Sequence, residues 1–282
     1  MIDALLNFDF IRYSLISGLL IGFIAPLIGA FIVVRRLSLI ADALSHVTLG
    51  GISFGMFLLT IIPVFSVINP MWFGILFAVI GALLIEKLRT SFSNYQEIAI
   101  PIIMSAGIAL SAIFISLAGG FNQEIVGLLF GSLSAVNISD LTTIIIITII
   151  VLIFIVLFYK ELFILSFDEE YSKVIGIPKW IQFLFIVIVA MVISASMRVV
   201  GILLVSALIT LPIAISMRIT KGFKQLIALS VILGELSVIL GLIIAFYMNI
   251  SPGGVIVVLL VLMLILTMII QKLKIKFKKG VV

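Results

Sequence analysis

The chain has 282 residues, of which 64% are hydrophobic and 10% charged, against about 45–50% apolar and about 25% charged in soluble domains. That balance excludes a soluble enzyme or binding module and defines an integral membrane protein, while the absence of cysteine excludes disulfides and thiolate metal sites. The net charge of +5 comes from 17 Lys and Arg between apolar runs and at the tail, where membrane orientation needs them, and does not point to nucleic acid.

The apolar runs are near 20 residues, which predicts spanning helices rather than barrel strands. The N-terminus, MIDALLNFDFIRYS, has no early basic cluster and does not read as a cleaved signal peptide. About nine spans follow. The first is Tyr13–Val34, ended by Arg35 and Arg36. Next come Leu39–Thr60, then Pro63–Ile85 before Glu86, Lys87 and Arg89, then Ile98–Ala118. After a Gly-rich break at Gly119–Glu124, Ile125–Ser139 is too short for an ordinary span and is expected to be re-entrant or packed inside the bundle. The fifth span is Leu141–Tyr159. A linker with three consecutive acids occupies Leu162–Lys179, and Trp180–Met197, Val199–Met217, Gln225–Met248 and Ser251–Ile270 complete the set, ahead of a basic tail over 271–282. The whole chain is thus expected to be one transmembrane domain, all-α, with about eight to nine spans.

With the N-terminus outside, 15 of the 17 positive charges fall inside, all except Arg12 and Arg198. The linker is then cytoplasmic. A full crossing by Ile125–Ser139 would flip everything before it.

Inside the second span sit Asp42 and the chain's one histidine, His46. Four residues apart, they share a helix face. His46 is ten residues from Arg36 and Glu235 eleven from Lys224, which at 1.5 Å per residue puts each about 15–16 Å deep, near the midplane. Intramembrane ionisable residues are functional candidates by default. Carboxylate with imidazole is ligand chemistry for Zn²⁺, Mn²⁺ and Fe²⁺, and Glu235 is a further candidate. Two other readings stand beside this one: a proton relay through the three groups, or simple pairing of Asp42 with Arg35 or Arg36.

No Gly is followed by Lys, so the chain holds no GxxxxGK[ST] phosphate loop, and no soluble domain is present to hold a nucleotide. It is not expected to be an enzyme. Active transport would draw on a partner subunit or an ion gradient. The segment Ser166–Pro178, SFDEEYSKVIGIP, predicts a short acidic helix from Asp168 to about Ile175, stopped by Gly176 and Pro178. Such a helix suits docking to a cytoplasmic motor, although a plain solvated loop has the same composition.

These segments together resemble the zinc/manganese (ZnuB-like) group of ABC-transporter permeases, of the metal-chelate importer type. The resemblance rests on RRLSLIADALSHVTLGGI (35–52), LFGSLSAVNISDL (129–141), SFDEEYSKVIGIP, VGILLVSALITLPIAISMR (200–218) and GELSVILGLIIAFYMNISPGGVIVVL (234–259), in the family's order. Tyr171 stands where alanine is usual. The resemblance implies a multi-pass permease of the bacterial plasma membrane that pairs with a second copy of itself. It also implies two cytoplasmic ATP-binding subunits and an extracytoplasmic metal-binding protein. Asp42 and His46 would contact the transported metal, and Asp168, Glu169, Glu170 and Gly176 would face the ATPase. No cofactor would be resident. The transported ion is expected to be zinc, with manganese or iron as the alternative within the family and a gradient-driven cation carrier as the alternative outside it. Gly18/Gly22 and Gly51/Gly55 predict close helix packing, and Pro212 predicts a kinked or unwound seventh span.

Overall fold

In lipid an apolar run satisfies its backbone only as a helix or a closed barrel. The computed structural model describes residues 7–62, 68–92, 95–120, 122–132 and 136–279, and these contain helices and no strand. In chain order the helices are α1 (Asp9–Val34), α2 (Ile40–Ile61), α3 (Met71–Ser91), α4 (Ala99–Leu117), α5 (Gln123–Phe130), α6 (Ile138–Leu157), α7 (Tyr159–Phe167), α8 (Glu169–Ile175), α9 (Lys179–Val200), α10 (Ile202–Ile219), α11 (Phe223–Met248) and α12 (Pro252–Lys279). Eight are long and apolar enough to cross a membrane, and α10 is a shorter apolar ninth. The expected start of the third span, Pro63, lies outside the described residues; its helix begins at Met71.

Three elements depart from or sharpen the sequence reading. Ile125–Ser139 is not a span: α5 has eight residues, begins where Asn122 Oδ1 accepts the Ile125 N–H at 2.9 Å, and ends at Gly131. An eight-residue helix rises only about 12 Å, so the alternation of the remaining helices is kept. The linker holds two helices rather than one, because α7 follows α6 directly and buries Leu162 and Leu165. Its nine residues are too few to show a clear period in sequence. The seventh span is not unwound at Pro212, through which α10 runs on. The break lies earlier, at Gly201, whose φ of 92° and ψ of 150° separate α9 from α10.

The helix ends meet as the alternation requires. Phe10, Gly131, Asn249 and Pro252 line one cavity at one end of the bundle. Glu86, Gln96, Glu169 and Lys179 line another, at the end where the basic clusters gather. There Phe31, fully buried at the base of α1, meets Tyr159, Phe185 and Phe223 edge-on at 6.2, 6.2 and 5.2 Å between centroids. Each such pair contributes about 0.5–1.5 kcal/mol beyond its burial, and together they bind α1 to α7, α9 and α11. Gly18 and Gly22 seat α1 on Val238, Leu242 and Gly234 of α11, and Gly51 and Gly55 seat α2 on Pro70, Phe73 and Phe77. Both glycine pairs therefore pack helices within the chain.

Candidate metal path and coupling face

Helix α2 is hemmed in by α3, α4, α9 and α10, and Ala41, Ala43, Leu44, Ser45 and Val47 are all buried. Glycines permit the close approach: a Cβ on Gly81 would lie 2.9 Å from Val47 Cγ1, and one on Gly107 2.8 Å from Val47 Cγ2. Leu39, Asp42 and His46, spaced by three and four, form a stripe that the chain leaves partly open. The i,i+4 pair thus lies on the one face of the helix that its packing partners leave partly exposed.

The alternative of a simple ion pair does not hold. Arg35 turns instead toward Glu86, Arg89 and Glu169, with its guanidinium carbon 6.0 Å from the Phe185 ring centre. Among the described residues no hydrogen bond or ion pair engages the side chain of Asp42 or His46, and no three His, Cys, Asp or Glu side chains gather closely enough to hold an ion. Glu235 is half-buried on α11, which packs against α1, α10 and α12 and not against α2. The three groups share a depth but not a site: the chain brings Asp42 and His46 together and leaves Glu235 apart.

The backbone behind the pair is fixed by hydroxyls that sequence reasoning missed. Ser111 of α4 donates to the His46 carbonyl at 3.0 Å and shares that proton with its own Gly107 carbonyl at 2.7 Å. Thr48 and Ser194 pair at 3.1 Å across α2 and α9. The available signal was the Gly107–Ser111 spacing, small residues four apart on an apolar helix. Beyond His46 toward the outer end, Leu49, Ile52 and Met56 join Ile125 and Leu128 of α5, Met197 and Ile202 in an apolar block.

At the end where the basic clusters gather, the three acids of the linker do three different things. Asp168 caps α8, its Oδ1 accepting the Tyr171 N–H at 2.8 Å. Glu169 turns to the bundle and meets Arg89 at 3.9 Å. Glu170 is exposed. Gly176, at φ 81°, closes the helix in the left-handed conformation, so that the Ile177 N–H reaches the Ser172 carbonyl at 3.0 Å. The outward face mixes apolar and charged groups: Tyr171, Val174 and Ile175 are more than half exposed, Val174 by 83%, beside exposed Glu170 and Lys173. The sequence reading, drawn to the acids, did not name these exposed apolar side chains.

Eight helices long and apolar enough to cross a membrane, packed as one bundle, are the architecture of a polytopic membrane protein. Residues 7–271 match the ABC 3 transport family, and the chain belongs to that family. It is 31% identical to the "Probable metal transport system membrane protein" of Treponema pallidum, over 94% of this chain and 98% of that one. It is 29% identical to the manganese transport system membrane protein MntC of Listeria monocytogenes, over 91% and 89%. The solved structure of PsaBC from Streptococcus pneumoniae, in complex with Fab, superposes with a TM-score of 0.81 at 29% identity, covering 94% of this chain and 93% of that one.

Proposed function

We propose that this chain is the permease subunit of an ABC importer for a divalent first-row metal, with manganese as the first expectation and zinc as the second. The observation that carries the reading is the Asp42/His46 pair: a carboxylate and an imidazole at membrane depth, on a partly open stripe, whose side chains no arginine and no hydrogen bond engages among the described residues. Two ligands are fewer than the four of a zinc site or the six of a manganese site; a second copy of the chain, presenting the same stripe, brings the set to four, enough for zinc and leaving two positions to water on manganese. The shift from zinc toward manganese is supported by the MntC relative, because Asp and His ligate both ions. ATP is hydrolysed by separate cytoplasmic subunits docked on α8, and an extracytoplasmic binding protein delivers the ion.

The test is ATP-dependent uptake of labelled manganese and zinc, side by side, in vesicles holding the chain with its ATP-binding and metal-binding partners. Manganese uptake that zinc inhibits only weakly supports the first expectation, and the reverse pattern the second. Uptake driven by an ion gradient without ATP would overturn the importer reading in favour of a carrier. The docking face gives a further prediction. Val174→Asp places a charge at the centre of an apolar contact, and the variant is expected to fold but no longer copurify with the ATP-binding subunit. Undiminished copurification would remove α8 from the interface.

A further inference from the structure

Helix α8 packs mainly on α7, and its backbone stands off from the rest of the bundle. Among the described residues, one ion pair ties it to another transmembrane element: Arg89 Nη2 to Glu169 Oε2 at 3.9 Å. Arg89 is only 8% exposed although it lies in the last turn of α3. Its guanidinium also donates to Glu86 Oε2 at 3.2 Å and to Gln96 Oε1 at 3.1 Å. Glu86 in turn accepts a 2.6 Å bond from Gln182 Nε2 of α9. A buried arginine held by several acceptors is a rigid fork rather than a mobile surface charge.

The bonds lead somewhere specific. Arg89 joins the end of α3 to the turn that starts α4, and α3 and α4 are the two helices packed most extensively on α2. Gly81 of α3 and Gly107 of α4 press against Val47, the residue after His46. Ser111 of α4 holds the His46 carbonyl itself. The path from Glu169 to His46 is thus a chain of direct contacts through close-packed helices, which move as units rather than deform. A cavity of about 480 Å³ beside Arg89 and Glu169 leaves α8 room to shift.

We infer that Arg89 is a positioning residue for transport: it relays displacement of α8 through α3 and α4 to the backbone that carries His46. The inference rests on the importer reading, since α8 moves only if an ATP-binding subunit docks there. Arg89 does not touch the metal, and its removal is expected to uncouple hydrolysis from transport rather than abolish either binding event.

The experiment measures metal uptake and ATP hydrolysis together in the reconstituted complex for wild type, Arg89→Gln, Glu169→Gln and the double variant. Both single variants are expected to assemble and hydrolyse ATP while uptake per ATP falls at least about fivefold, the lower end of coupling between linked sites. The double variant is expected to be no worse than the stronger single one, because both remove the same contact. Glu169 lies on the half-exposed helix, so Glu169→Gln decides the matter should Arg89→Gln fail to assemble. Wild-type ratios in the variants, or losses that multiply in the double variant, would overturn the relay. A wild-type complex with no ATP-driven uptake would overturn the importer reading and the relay with it, an outcome distinct from normal coupling in the variants.

Discussion

His46→Ala is expected to lower metal uptake by more than about tenfold, since loss of even an outer-sphere partner of a metal ligand costs roughly 10–100-fold. The complex itself should still assemble. His46 lies on the stripe of α2 that the chain leaves partly open, and among the described residues no side chain depends on it for a hydrogen bond. What holds the helix here is the carbonyl at position 46, gripped by Ser111, and an alanine keeps that carbonyl. Transport and folding therefore separate at this residue. Asp42→Asn makes the complementary test. It keeps the volume and removes the charge, so a site that binds a cation should weaken, whereas a site that merely fills space should not change. Uptake kinetics set against the amount of assembled complex check both variants, and normal uptake by His46→Ala would mean that the imidazole is structural.

The Asp42/His46 pair was legible in the sequence because two features met at one place. A four-residue spacing on a helix fixes a shared face, and a charge amid apolar residues near 15 Å depth demands a reason. Glu235 met the second condition but not the first: depth follows from counting residues, whereas azimuth depends on which helices pack together, and only the tertiary arrangement puts α10 between α11 and α2. The acids of α8 were legible as a helix start, since Asp168 is an N-cap by chemistry. Their division into cap, latch and solvent was not, because Arg89 is 80 positions away in the chain. Gly201 escaped notice for a related reason. The sequence MRVVGILLV has an apolar flow that hides a turn, and attention fell on Pro212, through which the helix runs on.

Gly201 also carries the largest expected effect on the fold. At φ 92° and ψ 150° it occupies a region open in practice to glycine alone, and forcing another residue there costs about 1–3 kcal/mol. A Cβ would in addition meet the backbone of Phe130 and Gly131, an overpacking of similar size, about 1–3 kcal/mol. Gly131 is itself at φ 78° and presses on Val199 and Val200, while Gly253 at the start of α12 packs on the Val200 carbonyl. Three glycines thus let α5, the α9–α10 break and α12 meet backbone to backbone at the outer end, beside the apolar block of Leu49, Ile125, Leu128 and Ile202. Gly201→Ala is expected to lower the thermal midpoint by about 5 °C or more, at roughly 2–4 °C per kcal/mol for a chain of this size. Gly222→Ala is the control, because Gly222 sits at φ −153° with open space around its Cα and should tolerate the methyl group. Equal midpoints for the two variants would show that the outer junction yields easily. A drop confined to Gly201→Ala would show that this junction is built on backbone contact that no side chain can replace.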